Sequence, residues 1–235
     1  MDLAFTDRRG GVSTPPFDSL NLALTGPDPE ASRAENLRLV LDDFAPGATL
    51  ADLHQVHGDA VHVVSDPKAA APRPDADGIV TAEPDVVLMV RAADCVPVLF
   101  ADPGAGVVGA AHAGRLGLAT GVVTRTVERM RGLGADEVTA WIGPHVCGSC
   151  YEVPAGLQDE VGAVVPESVA TTSWGTPALD LGAGVRAQLE RAGIIVVDVA
   201  RCTRESPDLY SFRRDGEHAG RLAGLVRLRA PEGAA

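Results

Sequence analysis

Apolar residues recur along the chain in two alternating patterns. In residues 29–44, Ala34, Leu37, Leu41 and Phe44 follow the three- and four-residue spacing of an amphipathic helix. Helices are predicted at 29–44, 116–133, 154–165 and 180–192. Other segments are short runs of Val, Leu, Ile and Ala bounded by Gly, Pro or Asp, which is typical of buried strands. Strands or extended segments are predicted at 3–6, 53–64, 78–81, 86–91, 96–101, 107–112, 137–142, 194–199 and 225–228.

Strands and helices alternate from one end of the sequence to the other. Segments rich in Pro or Gly at 7–19 and 67–77 predict loops, and no linker-like stretch or internal repeat divides the chain. This order of elements predicts an α/β fold. The length of 235 residues suits one large domain. We therefore expect a single domain over residues 1–235, with its core over about 3–229.

Composition limits which binding partners and which cellular compartment we expect for the protein. The chain is 46% hydrophobic and 22% charged, and its formal net charge is −12. This negative charge argues against nucleic acid or an anionic membrane as partner, while local Arg residues can still bind a small anion. No apolar run approaches the ~20 residues of a membrane span, and the N-terminal segment lacks the apolar core of a signal peptide. Four Cys are too few for a disulfide scaffold. We expect a monomer in the cytoplasm.

Two turns that contain Arg suit an anion. In residues 8–13, two Arg precede paired Gly, which can expose backbone N–H groups beside guanidinium groups. Residues 211–216 repeat this combination of Arg and turn. For both segments the alternative is an ordinary solvated turn.

Histidine and cysteine supply the second type of candidate. His54 and His57 are three residues apart in a segment expected to be extended, so on a strand they point to opposite faces and only one enters a given site. Cys95 and His112 lie at the edges of apolar strand runs. A Cys–His pair can act as nucleophile and base, and Cys with two His can hold zinc with one open position. The alternative is a set of buried structural side chains.

Cys147 and Cys150 form a CxxC pair. Such a pair is half of a zinc site or a redox motif. The sequence contains no second CxxC and no thioredoxin-like context. We therefore interpret the segment as a loop with two incidental thiols.

Taken in order, short segments of the chain resemble those of one family. The family was long labelled polyphenol oxidase or laccase-like, and is also called the laccase domain-containing protein family. It is now regarded as a family of purine nucleoside phosphorylases with adenosine deaminase activity. The segments that carry the resemblance are Arg8-x-Gly10-Gly11-Val12-Ser13, Ser19-Leu20-Asn21-Leu22, Glu35-Asn36, Gln55-Val56-His57-Gly58, Asp75-Ala76-Asp77-Gly78, Ala93-Asp94-Cys95-Val96-Pro97-Val98, His112-Ala113-Gly114, Ile142-Gly143-Pro144, Cys150-Tyr151-Glu152-Val153, Cys202-Thr203 and Ser211-Phe212-Arg213-Arg214-Asp215-Gly216. Each segment is unspecific alone, and their common order makes the resemblance specific.

The resemblance implies both a fold and a site. The fold is a four-layer α/β/β/α sandwich with mixed β-sheets, similar to the toxin-deamidase fold. His57, Cys95 and His112 fall on the family's zinc-binding and catalytic positions, which selects His57 over His54. Zn²⁺ is the implied cofactor. Family members often have Trp-Arg-Gly where this chain has Arg115-Leu116-Gly117, a departure that bears on substrate preference.

The resemblance further implies phosphorolysis of purine nucleosides. Orthophosphate would cleave adenosine, inosine, guanosine or methylthioadenosine to the base and ribose 1-phosphate, and adenosine deamination is a second expected activity. We assign Arg8 and Arg214 to phosphate and Asn21 to a polar substrate contact. The alternatives are a Cys–His hydrolase or deamidase, with Cys95 as nucleophile and His112 as base, and a nucleoside-binding protein without turnover. A multicopper oxidase is disfavoured because the six His do not form the His-x-His pairs expected of such a site.

Overall fold

The computed structural model describes residues 1–66 and 72–229. Its strands are β1 (Asp2–Phe5), β2 (Thr49–Asp52), β3 (Val61–Val64), β4 (Gly78–Thr81), β5 (Val86–Ala92), β6 (Val96–Asp102), β7 (Val107–Ala113), β8 (Thr139–Ile142), β9 (Val169–Thr171), β10 (Pro177–Leu179), β11 (Ile195–Asp198) and β12 (Leu222–Arg227). Its α-helices are α1 (Glu30–Phe44), α2 (Arg115–Thr120), α3 (Val122–Gly132), α4 (Ala155–Gly162), α5 (Leu181–Arg191) and α6 (Phe212–Asp215).

Two mixed sheets form the centre of the fold. The four-stranded sheet has the order β1-β12-β5-β2, and the six-stranded sheet has the order β11-β8-β6-β7-β4-β3. The pairs β2–β5, β3–β4 and β8–β11 run parallel, and the other neighbours in these sheets run antiparallel. Strands β9 and β10 form a separate antiparallel ribbon.

The central strands are buried on both faces, which creates three apolar layers. On β5, Leu88 packs between the two sheets, whereas Met89 packs on the side of α1. On β6, Leu99 packs between the sheets, whereas Phe100 packs on the side of α2 to α5. Successive side chains of a strand point to opposite faces, so each strand serves two layers. The order of layers is therefore helix, sheet, sheet, helices, and the predicted four-layer α/β/β/α sandwich with mixed sheets is confirmed.

The segment 53–64 is not one extended run, and that prediction is wrong. Residues 53–60 form a turn between β2 and β3. The backbone N–H groups of Val56 and Gly58 donate to Asp77 Oδ2 at 3.1 and 2.7 Å, and His57 has a φ of 60°. Amides bound by a side chain cannot join a strand ladder, and a positive φ breaks extended backbone. The argument that placed His54 and His57 on opposite faces of a strand therefore fails.

The predicted helix 116–133 is two helices. Gly121 has a φ of 86° and its N–H donates to Gly117 O and Leu118 O, which ends α2 before α3 begins. The predicted helix 154–165 ends earlier, at the end of α4, and the predicted strand 225–228 begins earlier, at the start of β12. Strands β2, β9 and β10 and helix α6 were not predicted. Residues 67–71 of the predicted 67–77 loop lie outside the described residues.

Within residues 1–66 and 72–229, no helix combines the length and the apolar character needed to cross a bilayer.

Candidate functional site

Three side chains of the types that can bind a metal ion, His57, Cys95 and His112, meet where β5 ends, β6 begins and β7 ends. His57 belongs to the turn between β2 and β3, Cys95 to the connection between β5 and β6, and His112 to β7. Their ligand atoms all lie within 4.8 Å of one another. The rings of His57 and His112 meet edge to face, with centroids 4.9 Å apart. His112 is buried and His57 is exposed, so solvent reaches this His–Cys–His cluster at His57.

Asp77 orients two members of the cluster. Its Oδ1 lies 2.8 Å from His112 Nδ1, which leaves Nε2 as the ring nitrogen available to the cluster. Its Oδ2 accepts the N–H groups of Val56 and Gly58, the residues on either side of His57. Burial raises the pKa of Asp77, but the hydrogen bonds from His112 and from these amides outweigh burial and lower it. Asp77 is therefore a carboxylate that fixes both the ring of His112 and the turn that carries His57.

Cys95 and His112 favour each other's charged forms. Burial raises the pKa of the Cys95 thiol, but the charge on His112 and hydrogen bonds from both His residues bring it below its ordinary value. Burial lowers the pKa of His112, but the Cys95 thiolate and the Asp77 carboxylate bring it above its ordinary value. A thiolate is the form of Cys that binds metals and attacks electrophiles. The pair therefore suits either metal binding or Cys–His chemistry.

The backbone before Cys95 is held in an unusual conformation. Asp94 has a φ of 88°, a region that non-glycine residues rarely adopt. Its Oδ1 accepts the hydroxyl of Thr203 at 2.6 Å, and its Oδ2 accepts the N–H of Arg213 at 2.6 Å. These bonds come from segments more than a hundred residues away and hold the backbone that presents Cys95. Strained backbone supported in this way is common at functional sites.

Gly114 gives the cluster the space it needs. A Cβ at this position would lie 2.8 Å from His57 Cδ2 and 3.2 Å from Cys95 Sγ. Any side chain at position 114 would therefore push His57 away from the other two ligands. This close approach explains glycine in the His112-Ala113-Gly114 segment.

The cluster opens into a cavity of about 970 Å³. The cavity wall includes the polar side chains of Asn21, Asp28, Arg91, Arg213 and Arg221. Small-molecule sites typically enclose about 300–1,000 Å³ and carry a few convergent polar groups on an apolar wall. The cavity is therefore large enough for a substrate and a second small molecule beside the cluster.

The structure does not bring Arg8 or Arg214 to this cavity. Neither belongs to the cavity wall formed by the described residues. Arg8 Nε donates to Asp18 O at 2.6 Å, and its guanidinium lies 4.7 Å from the centre of the Tyr210 ring. The Arg214 guanidinium donates to protein oxygens of Thr203, Ser206, Leu209 and Asp215. Both guanidinium groups bind protein atoms, so they hold loops in place and do not face the cavity.

Asn21 does reach the cavity, and its side chain is already engaged. Its Nδ2 donates to Asp28 Oδ2 at 2.9 Å, and its Oδ1 accepts the N–H groups of Ala23 and Arg221. Asn21 is buried. It therefore positions two other residues of the cavity wall, Asp28 and Arg221.

Sequence reasoning missed several polar residues around the cluster. The matching segments include Asp77 and Arg213, but the sequence assigns no role to Asp77 and predicts a phosphate contact for Arg214 instead of Arg213. Asp28, Arg91 and Arg221 carried no signal, because each lies in a segment without a motif of its own. Only Asp77 carried a local signal of a functional role, because it is a carboxylate that directly precedes the predicted strand 78–81.

The departure at Arg115-Leu116-Gly117 falls at the start of α2. Arg115 is half-buried and Leu116 is 47% exposed. Gly117 packs closely, since a Cβ there would lie 2.9 Å from Gly58 O. Neither Arg115 nor Leu116 belongs to the cavity wall as far as the described residues define it.

Fold and site together define a four-layer mixed α/β protein with a His–Cys–His candidate metal centre beside a large cavity. The family described as multi-copper polyphenol oxidoreductase laccase matches residues 2–229. The chain belongs to this family, which confirms the resemblance seen in its sequence motifs.

Relatives and solved structures agree with this membership. A Streptomyces coelicolor protein named purine nucleoside phosphorylase is 51% identical over 230 residues, which are 95% of this chain and 94% of that protein. A Mycobacterium tuberculosis protein of the same name is 48% identical over 225 residues, which are 94% of this chain and 89% of that protein. The crystal structure of Bacillus licheniformis YfiH has a TM-score of 0.89 and 31% identity, covering 97% of this chain and 92% of that one. The relatives' names support an enzyme.

Proposed function

We propose that the protein is a zinc-dependent purine nucleoside phosphorylase. It cleaves adenosine, inosine, guanosine or methylthioadenosine with orthophosphate, and it also deaminates adenosine. One observation carries the proposal: the His–Cys–His cluster opens into a cavity of about 970 Å³. The relatives named purine nucleoside phosphorylase, at 51% to 40% identity, support the choice of substrate class.

The donor set of His57, Cys95 and His112 fits zinc. Imidazole nitrogen and thiolate sulphur are zinc ligands, and three protein donors leave one position open, as in catalytic zinc sites. Asp77 on His112 Nδ1 supplies the outer carboxylate that a metal-bound His commonly has. When bound, zinc supplies Lewis-acid chemistry, which suits displacement of a purine amino group by water.

We assign phosphate to Arg213 and Arg221 in place of Arg8 and Arg214. Both belong to the cavity wall that also contains the cluster. Each guanidinium has five N–H donors and uses only part of them on protein carbonyl oxygens. The remaining donors can bind an anion in the paired geometry that guanidinium favours.

Asp28 and Arg91 are our candidates for binding the nucleoside. Within the described residues, Asp28 Oδ1 and Arg91 Nη1 are buried atoms without a hydrogen-bond partner, and both side chains line the cavity. An unpartnered buried polar group costs about 1–3 kcal/mol. A ligand hydroxyl or amino group that donates to Asp28, and a ligand oxygen or ring nitrogen that accepts from Arg91, would remove this cost.

In phosphorolysis these residues act mainly by positioning the phosphate and the nucleoside. A phosphate oxygen bonds to C1′ of the ribose, the bond from C1′ to the base nitrogen breaks, and the base leaves with the electron pair and takes up a proton. The transition state resembles an oxocarbenium ion. Arg213 and Arg221 would hold the anion in line, while Asp28 and Arg91 hold the nucleoside. Fixing two reactants in this way removes much of the entropic part of the barrier.

Product analysis tests the proposal directly. Zinc-loaded protein is incubated with adenosine or inosine, with and without phosphate, and the products are separated by chromatography. We expect adenine or hypoxanthine only when phosphate is present, and inosine from adenosine without it. If zinc-loaded protein converts neither nucleoside, the proposal is wrong.

Arg213→Ala is expected to raise KM for phosphate by roughly 10- to 100-fold. The reason is the loss of a charge-assisted hydrogen bond, worth about 1.5–3 kcal/mol. Phosphate-dependence curves at saturating inosine measure the effect. Arg9→Ala is the matched control, because Arg9 is an exposed cation outside the cavity. Equal KM values for the two variants would remove Arg213 from the phosphate site.

Gly114→Ala is expected to lower zinc affinity about 10- to 100-fold, the size of effect seen when the support of a metal ligand is lost. The added methyl group would displace His57 from Cys95 and His112. Competition with a chromogenic chelator measures the affinity. Gly132→Ala is the control, because a Cβ at that position meets nothing within 4 Å. Wild-type affinity in the Gly114 variant would show that His57 is not held where the cluster needs it.

A Cys–His hydrolase is the second candidate, and the mutual stabilisation of a Cys95 thiolate and a protonated His112 favours it. In that case activity survives loss of zinc from the His–Cys–His cluster and is lost on alkylation of Cys95. The proposed phosphorylase is instead expected to lose its activity when a chelator removes this zinc.

A further inference from the structure

A second group of metal-ligating side chains lies outside the His–Cys–His cluster. It consists of Cys147, Cys150, Cys202 and Glu205, whose ligand atoms all lie within 4.8 Å of one another. We call it the Cys₃Glu cluster. The sequence contains no second CxxC and no thioredoxin-like context, so it suggested two incidental thiols at Cys147 and Cys150. The other two members of the cluster follow more than fifty residues later. The fold brings Cys202 and Glu205 next to the CxxC pair.

The backbone builds this cluster from two turns. The N–H groups of Cys150 and Tyr151 both donate to Cys147 O, at 2.9 and 3.0 Å, which closes the CxxC turn. Gly148 within it has no room for a side chain, since a Cβ would lie 2.8 Å from Asp180 Cβ. A tight turn with converging cysteines is thus specified by the fold.

The second turn brings Cys202 and Glu205 to the first. His145 and Cys202 pair in a parallel bridge, and the N–H of Ser206 donates to Cys202 O at 3.0 Å. The N–H of Cys147 lies 3.5 Å from Cys202 Sγ and donates to it. This hydrogen bond joins the two turns at the sulphur of Cys202.

We propose that Cys147, Cys150, Cys202 and Glu205 bind one Zn²⁺ in a structural site. Thiolates select soft or borderline metals, and four protein donors fill the tetrahedral shell of zinc and leave no position for substrate. The three-donor His57 cluster differs in this respect. All four Cys of the described chain are free thiols, so the donors are available.

Two residues next to the Cys₃Glu cluster contact residues of the first site and its cavity. Thr203, next to Cys202, donates to Asp94, the residue that precedes Cys95. Tyr151, next to Cys150, belongs to the cavity wall and stacks with Arg213 at 4.4 Å. Zinc at the Cys₃Glu cluster therefore ties together two loops that position residues of the first site without touching its ligands.

Metal analysis of variants with the first site removed tests this inference. In the Cys95→Ala protein we expect one equivalent of zinc per chain, held by the Cys₃Glu cluster. Adding Cys202→Ser should remove it, whereas adding Ser149→Ala should not, because Ser149 is an exposed residue of the same turn without a ligand atom in the cluster. Unchanged zinc after Cys202→Ser would overturn the proposal.

Cobalt provides a readout that does not depend on how the double variant folds. Co²⁺ added to metal-free, reduced Cys95→Ala protein should give thiolate-to-cobalt charge-transfer absorption and the visible bands of a tetrahedral ion. The exposed Glu205 allows a mild second variant, Glu205→Gln, which should weaken cobalt binding at least about tenfold. Absence of charge-transfer absorption would overturn the proposal. A disulfide among these Cys would also overturn the proposal if it persists in reducing buffer. Mass spectrometry would detect it, because the protein is then two hydrogens lighter than its fully reduced form.

Discussion

Cys95→Ala is expected to reduce phosphorolysis of inosine by two to three orders of magnitude. Loss of the thiolate removes one of three ligands, and a Lewis-acid metal contributes several kcal/mol to a reaction, with about 1.4 kcal/mol for each factor of ten. The substitution deletes a single sulphur atom, so the fold is retained. Initial rates at saturating nucleoside and phosphate, together with zinc content, measure the effect.

Alkylation separates the two roles open to Cys95. If Cys95 binds zinc, iodoacetamide should modify it rapidly in chelated protein and slowly in zinc-loaded protein. Peptide mass analysis identifies the modified residue. If Cys95 is a free nucleophile, zinc-loaded protein loses activity as fast as chelated protein does. Turnover retained in Cys95→Ala would contradict both assignments and move the chemistry away from the cluster.

Asp77→Asn is expected to lower zinc affinity about 10- to 100-fold, and turnover at limiting zinc with it. Two backbone N–H groups point at Oδ2 of Asp77, so the amide oxygen of Asn takes that place and its NH₂ faces His112 Nδ1. Nδ1 must then accept, and the ring proton moves to Nε2, the nitrogen available to the cluster. A protonated Nε2 cannot bind a metal.

Asp75→Asn is the matched control for this tautomer effect. Asp75 Oδ1 lies 2.7 Å from His54 Nδ1, in a pair whose side chains are 65% and 73% exposed. Exposed pairs of this kind contribute about 0–1 kcal/mol, and neither residue belongs to the His–Cys–His cluster. Zinc affinity and kcat should match the wild type. Asp77→Asn protein with wild-type zinc affinity would show that the carboxylate does not select the tautomer of His112.

The strands around the site could be predicted because their pattern is local. Strands β5, β6 and β7 are buried on both faces, so each appears in the sequence as an uninterrupted apolar run bounded by polar or turn residues. Their ends fix the positions of Cys95 and His112. Composition and periodicity alone gave the α/β class, and the four layers came from the family resemblance.

The turn that carries His57 could not be predicted from its own residues. Its conformation depends on Asp77, which lies 19 and 21 residues from the two amides that it accepts. The β-branched neighbours favour extended backbone locally, and a distant carboxylate overrides that preference. The choice of His57 over His54 therefore came from the resemblance and not from spacing.

The sequence alone also could not show which of Arg213 and Arg214 lines the cavity. Arg213 and Arg214 are adjacent on a helix of four residues, and no periodicity distinguishes them. The N–H of Arg213 binds Asp94, more than a hundred residues away, while the side chain of Arg214 donates to six protein oxygens. Which arginine faces the cavity is decided by tertiary contacts.

The central claim is that the His57–Cys95–His112 site carries out phosphorolysis. Phosphorus NMR of inosine and phosphate, with zinc-loaded wild-type protein and His112→Ala protein in parallel, tests it most directly. We predict that ribose 1-phosphate appears in step with hypoxanthine in the wild type and not in the variant. Hypoxanthine without ribose 1-phosphate, or equal ribose 1-phosphate formation by both proteins, would contradict the account.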